Sequence, residues 1–107
     1  MSTLLEITEA NFKTEVLQST IPVVIDCAAE WCGPCKKLAP IVEELSLEFS
    51  GKVKIGHLDV DQNAEISTDQ GILSVPTLLF FKNGHKVDES IGLISKETLI
   101  EKINNLL

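Results

Sequence analysis

Two hydrophobic periods alternate along the chain, and the changes between them mark the elements. The apolar, β-branched run PVVIDC (22–27) reads as a strand buried on both faces. Leu38, Ile41, Val42, Leu45 and Phe49 then recur at helical spacing to about Ser50, and Gly51 stands where a helix cap belongs. Further strands are predicted at LLEI (4–7), VKIGHLDV (53–60) and TLLFFK (77–82). Asn83-Gly84 is a two-residue hairpin signal, so HKVDESI (85–91) returns antiparallel. Thr8 is expected to cap a helix to about Gln18 with Phe12 and Val16 on one face. A short helix is expected over Ala64 to Gln70, and Ser95 caps a last one with Leu99, Ile103 and Leu106 inward.

The order is β-α-β-α-β-α-β-β-α. Strands joined through helices should be parallel, and the hairpin adds an antiparallel pair. The fold class is therefore α/β, a mixed sheet covered by helices. No repeat, linker or low-complexity run interrupts it, and 107 residues suit one domain over 1–107.

Composition narrows the function. Hydrophobic residues make up 44% and charged residues 23% of the chain, an ordinary globular balance. The net charge is −7, and all nine basic residues are lysines. There is no basic patch of the kind a nucleic-acid backbone requires, so no nucleic acid is expected as partner. No apolar run reaches the roughly 20 residues of a membrane span. The N-terminal stretch lacks the pattern of a signal peptide. The expected location is the cytoplasm, where thiols stay reduced.

The chemistry concentrates in IDCAAEWCGPCKKLAP (25–40), which holds Cys27, Cys32 and Cys35. Cys32 and Cys35 stand where a strand gives way to a helix. Side chains three apart on a helix are about 5–6 Å apart at Cβ, and a disulfide needs about 3.5–4.5 Å. A small adjustment lets both dithiol and disulfide exist. The first helical turn has unpaired N–H groups and the positive dipole end, which favour a thiolate at Cys32. Pro34 suits an early helical position, Gly33 permits close approach of another backbone, and Pro40 should kink the helix. Zinc held by Cys27, Cys32, Cys35 and His57 or His85 is the competing reading, although no second CxxC is present.

WCGPCK at 31–36, VPT at 75–77, KNG at 82–84 and Gly92 stand at separations that closely resemble the thioredoxin family, over essentially the whole chain. The resemblance implies a central five-stranded mixed sheet flanked by four helices. It implies protein-disulfide oxidoreductase activity through a redox-active Cys32–Cys35 disulfide, with no bound cofactor and no metal. Cys32 would be the exposed nucleophile and the more buried Cys35 the resolving thiol. A monomer would pass electrons to disulfide-containing proteins and be recycled by thioredoxin reductase. Trp31, Gly33, Pro34, Val75, Pro76 and Gly92 would form the substrate surface, with Pro76 as the family's cis-proline. A carboxylate buried at Asp26 should resist ionisation and could accept the Cys35 proton, as the family's buried aspartate does. A structural module whose cysteines are incidental is the alternative from another class.

Three positions depart from the pattern. Cys27 and Ala28 occupy places where the family usually carries aromatics, and His57 stands where a lysine is common. Cys27 reads as a small buried hydrophobe, and Ala28 removes packing beside the active-site loop. His57 is a candidate modulator of Asp26 because histidine titrates near neutrality. Lys36 is a second candidate modulator, close enough to support the Cys32 thiolate.

Overall fold

The computed structural model describes residues 4–107. Its centre is β2 (Val23–Ala28), in which all six residues are buried. β1 (Leu5–Glu6) and β3 (Lys54–Asp59) lie on one side, and β4 (Thr77–Lys82) and β5 (His85–Ile91) on the other, giving the order β1-β3-β2-β4-β5. β1, β3 and β2 pair in parallel, whereas β2–β4 and β4–β5 are antiparallel. This is the five-stranded mixed sheet expected from the alternation of strands and helices.

Alternation along the strands divides the core in two. Val24 of β2 joins Leu38, Val42 and Leu45 of α1 (Gly33–Glu48) and Leu99 and Ile103 of α3 (Lys96–Asn104) on one face. Val23, Ile25 and Cys27 face the other way, with Ile7, Val16, Leu58, Leu79 and Phe81. Ile66 of α2 (Ala64–Asp69) completes that second layer. Phe12 stands edge-on to Phe81 there, with ring centroids 5.9 Å apart.

α1 starts at Gly33, and Pro34 occupies its first turn as expected. The helix continues through the exposed Pro40 to Glu48. Its C-cap is Phe49, so Gly51 lies two residues further on, at φ +85° in the turn that follows. Ser95 caps α3 as predicted, its Oγ accepting from the Thr98 N–H at 3.2 Å.

The first helix differs from expectation. In place of an α-helix from Thr8, there is a five-residue π-helical turn, Lys13–Leu17. Asn11 explains the change. Its Oδ1 accepts from the Thr8 N–H at 2.7 Å, and its Nδ2 donates to the Glu6 carbonyl at 2.8 Å. A side chain that bonds the local backbone in this way competes with a helical start, and Thr8 does not serve as the cap.

Two glycines hold elements close together. A Cβ on Gly56 would stand 2.9 Å from the Leu5 carbonyl oxygen and 2.8 Å from Ile7 Cγ1, so β1 seats closely beside β3. Asn83 and Gly84 both have positive φ, 54° and 80°, as a tight primed hairpin turn requires. A Cβ on Gly84 would lie 2.6 Å from the Leu17 carbonyl oxygen. Gly84→Ala is therefore expected to lower unfolding free energy by about 1–3 kcal/mol through backbone strain, before the added clash. Urea denaturation measures this, and an unchanged midpoint would mean the turn can move away from Leu17.

Candidate active site

The site lies where the C-terminal end of β2 runs into α1. Cys32 and Cys35 form a disulfide, with Cα atoms 5.3 Å apart. Cys32 is the N-cap of α1, and its Sγ accepts a hydrogen bond from the Cys35 N–H at 3.2 Å. One otherwise unpaired amide of the helix start is thus turned onto a sulfur, the arrangement that favours negative charge there.

The expected contrast between an exposed Cys32 and a buried Cys35 is absent in this disulfide state: each is 4% exposed. Both belong to a small apolar group with Ala28 and Ala29, against which Val60 and Val75 pack. Exposure belongs instead to the neighbours Trp31, Gly33 and Pro34. Trp31 is 71% exposed, yet its indole N–H donates to Asp61 Oδ2 at 2.8 Å, which fixes the ring's edge.

Val75, Pro76 and Gly92 are brought to the same end. The Val75–Pro76 peptide bond is cis, Pro76 is buried, and its carbonyl accepts from the Gly92 N–H at 2.8 Å. Trp31, Val60, Ile72, Leu73, Ser74 and Val75 line a shallow cleft of about 130 Å³. Leu73 is almost fully exposed. Ile72 and Leu73 lie far from the cysteines along the chain and carry no motif, and Asp61 reads in the sequence only as the turn after β3. The one signal of Ile72 and Leu73 in the sequence is position, two apolar residues just ahead of the VPT segment.

Asp26 faces α1 from β2 and is 1% exposed. Its Oδ1 has no hydrogen-bond partner among the described residues. Burial drives its pKa from an ordinary 3.8 up to about 6, opposed by the charge of His57. Asp26 and Cys35 line one cleft of about 150 Å³, together with Lys36, Ala39 and His57. The open space runs along Ala28 and Ala29, so small side chains leave a path to the carboxyl group. Lys36 is exposed at this rim.

Cys27 is one residue from Asp26 and on the opposite side of β2. It is fully buried, and its thiol pKa is pushed strongly upward, first by burial and then by the charge of Asp26. His85 is exposed on the hairpin. Among the described residues, no group of three or more His, Cys, Asp or Glu is arranged to hold a metal ion. The four ligands of the zinc reading are not assembled.

A family model described as Thioredoxin matches residues 3–105. The chain belongs to the thioredoxin family. A thioredoxin of Rickettsia felis is 49% identical over 98 residues, covering 92% of this chain and 93% of that one. Thioredoxin 1 of Nostoc sp. is 41% identical, and a thioredoxin of Synechocystis sp. 42% identical, each over 107 residues and the whole of both chains. The redox-type disulfide and this membership make the chain a dithiol–disulfide oxidoreductase. Among the described residues, no helix is long and apolar enough to cross a membrane.

Within this thioredoxin-family site, Asp26 links stability to pH. A carboxyl group whose pKa is higher folded than unfolded binds more protons in the native state between the two values. Its favourable contribution is complete below about 4 and lost as pH rises through about 6. Asp26→Asn should therefore exceed the parent protein in stability at neutral pH by about 3 kcal/mol, with the gap closing below about pH 4. Denaturation at pH 4 and pH 7.5 checks this, and an equal difference at both values would contradict it. Cys27 in the native reduced protein should resist alkylation under conditions that label Cys32 within minutes. Peptide mapping of the adducts distinguishes the two.

Proposed function

We propose that the chain is a general reductant of protein disulfides, with Cys32 as nucleophile, Cys35 as resolving thiol and Asp26 as the base for Cys35. The observation that carries this reading is the Cys32–Cys35 disulfide at the helix start, with the Cys35 N–H on Cys32 Sγ and Asp26 in the adjoining cleft.

The Cys32 thiolate attacks one sulfur of a substrate disulfide. The substrate S–S bond breaks, a mixed disulfide forms, and the departing substrate thiolate takes a proton from solvent. Cys35 then gives its proton to the Asp26 carboxylate, and its thiolate attacks Cys32 Sγ. The Cys32–substrate bond breaks, the second substrate thiolate leaves and is protonated, and two electrons have passed to the substrate. Asp26 suits the proton step because burial holds its pKa near neutrality. His57, on the neighbouring strand, adjusts it.

Trp31, Gly33, Pro34, Val75, Pro76 and Gly92 form the face that receives the substrate, extended by Leu73. A Cβ on Gly33 would meet nothing within 4 Å, so this edge is open to an incoming chain. Lys36 supports the Cys32 thiolate from the rim. The protein works as a monomer in the cytoplasm without a bound cofactor, and a thioredoxin reductase regenerates the dithiol. The pair of sulfurs itself carries the two electrons.

Cys35→Ser should accumulate a covalent adduct with a disulfide substrate, whereas Cys32→Ser should form none. Turnover of insulin disulfides with dithiothreitol as donor should fall to background in both variants. Non-reducing electrophoresis and mass spectrometry read the adduct. A stable adduct through Cys35 in the Cys32→Ser protein would reverse the assigned roles.

A further inference from the structure

A row of three ionisable side chains crosses the sheet on the α1 face. Glu6 of β1 is in register with His57 of β3, and His57 is in register with Asp26 of β2. Neighbouring strands are about 4.8 Å apart, so each group is the immediate lateral neighbour of the next. His57 Nδ1 lies 3.2 Å from both carboxylate oxygens of Glu6. An ionised carboxylate only accepts, so Nδ1 donates the hydrogen in this contact. Glu6, His57 and Asp26 line a common cleft of about 280 Å³. Asp26 and His57 also line the cleft that contains Cys35. The row therefore runs from an exposed acid at the sheet edge to the buried acid beside the resolving thiol.

We propose that Glu6 is a positioning residue of the redox site, holding His57 as the cationic neighbour that keeps Asp26 able to ionise. This rests on the assignment of Asp26 as base for Cys35. Without Glu6, His57 loses the carboxylate that orients its ring toward the row. Asp26 then faces a weaker positive neighbour and ionises at higher pH. The direct field of Glu6 acts in the opposite direction, because removing a nearby anion eases ionisation of another. The sign of the shift therefore separates action through His57 from direct action. The other charged groups around the two clefts are Asp59 at the end of β3, Glu30 in the loop, and Lys36 and Glu43 of α1. β4 places only Leu78 opposite Asp26. None of these shares the hydrogen bond to His57 Nδ1.

The test uses the full chain as parent, Glu6→Gln, His57→Gln, the double variant and Asp26→Asn. The Asp26 carboxyl is titrated by carbon NMR in the reduced protein, and mixed-disulfide resolution is timed from pH 5 to 9. Glu6→Gln and His57→Gln should each raise the Asp26 midpoint, His57→Gln by roughly half a pH unit or more. The double variant should lie at or slightly below His57→Gln alone, because without the imidazole only the weak direct field of Glu6 remains. A Glu6→Gln midpoint that is unchanged or lower, or shifts that add in the double variant, overturns the proposal. Glu6→Ala repeats the measurement if the amide folds poorly. If Asp26→Asn resolves the adduct at the parent rate across the range, the role of Asp26 as base fails. The NMR midpoints then still decide whether Glu6 governs Asp26 through His57.

Discussion

The two-residue period of β2, buried on both faces, is the constraint on which the rest of the molecule depends. Val23, Ile25 and Cys27 must face one apolar layer, and Val24, Asp26 and Ala28 the other. A carboxyl group is thereby held out of water under α1, and a third thiol is sent away from the redox pair. A shift of one residue in register would exchange them, placing Cys27 beside Cys35 and Asp26 in the layer of Ile7 and Phe81. The hydrophobic residues on both sides of the strand oppose that shift, and so they also determine which side chains meet at the site.

Electrostatics then separates groups that are adjacent in the chain. Cys32 receives a backbone N–H at the start of a helix, a setting in which sulfur carries charge readily. Cys27 is surrounded by aliphatic side chains and an acidic neighbour, and its thiol stays protonated. Asp26 is between these extremes, its ionisation hindered by burial and partly restored by His57. These differences arise from position relative to helix ends and water, since the thiols are intrinsically alike.

The substitution pattern that set this chain apart from its family is also intelligible. Cys27 fills its place as a small core residue. Ala28, together with Ala29 and Ala39, leaves open space leading to Asp26 and Cys35, where a larger side chain would occupy volume. His57 replaces the lysine common at this position with an imidazole, and Glu6 is the group in contact with it. The acid at the edge of the sheet, the histidine and the buried acid thus form a connected set, distinct from the cleft lined by Trp31, Leu73 and Val75.

Much of this was legible in the chain. Periodicity located all five strands, Asn83-Gly84 identified the hairpin, Ser95 marked the start of α3, and the CGPC segment named the redox pair. These are local properties, expressed within a few residues by sterics, backbone hydrogen bonding and side-chain spacing. Thr8 misled because Asn11 captured the local amides first, a competition between two short-range bonds that propensity does not resolve. The equal burial of Cys32 and Cys35, the indole bond to Asp61, and the contact of Glu6 with His57 could not be read in advance. Each depends on strand register or on residues some 30 to 50 positions apart, and such distances are set only when the layers close on a common core. The sequence by itself determined the reactive sulfurs and the strand–helix frame. Tertiary structure decided which charges surround them, because only packing brings those charges within range and removes the water between them.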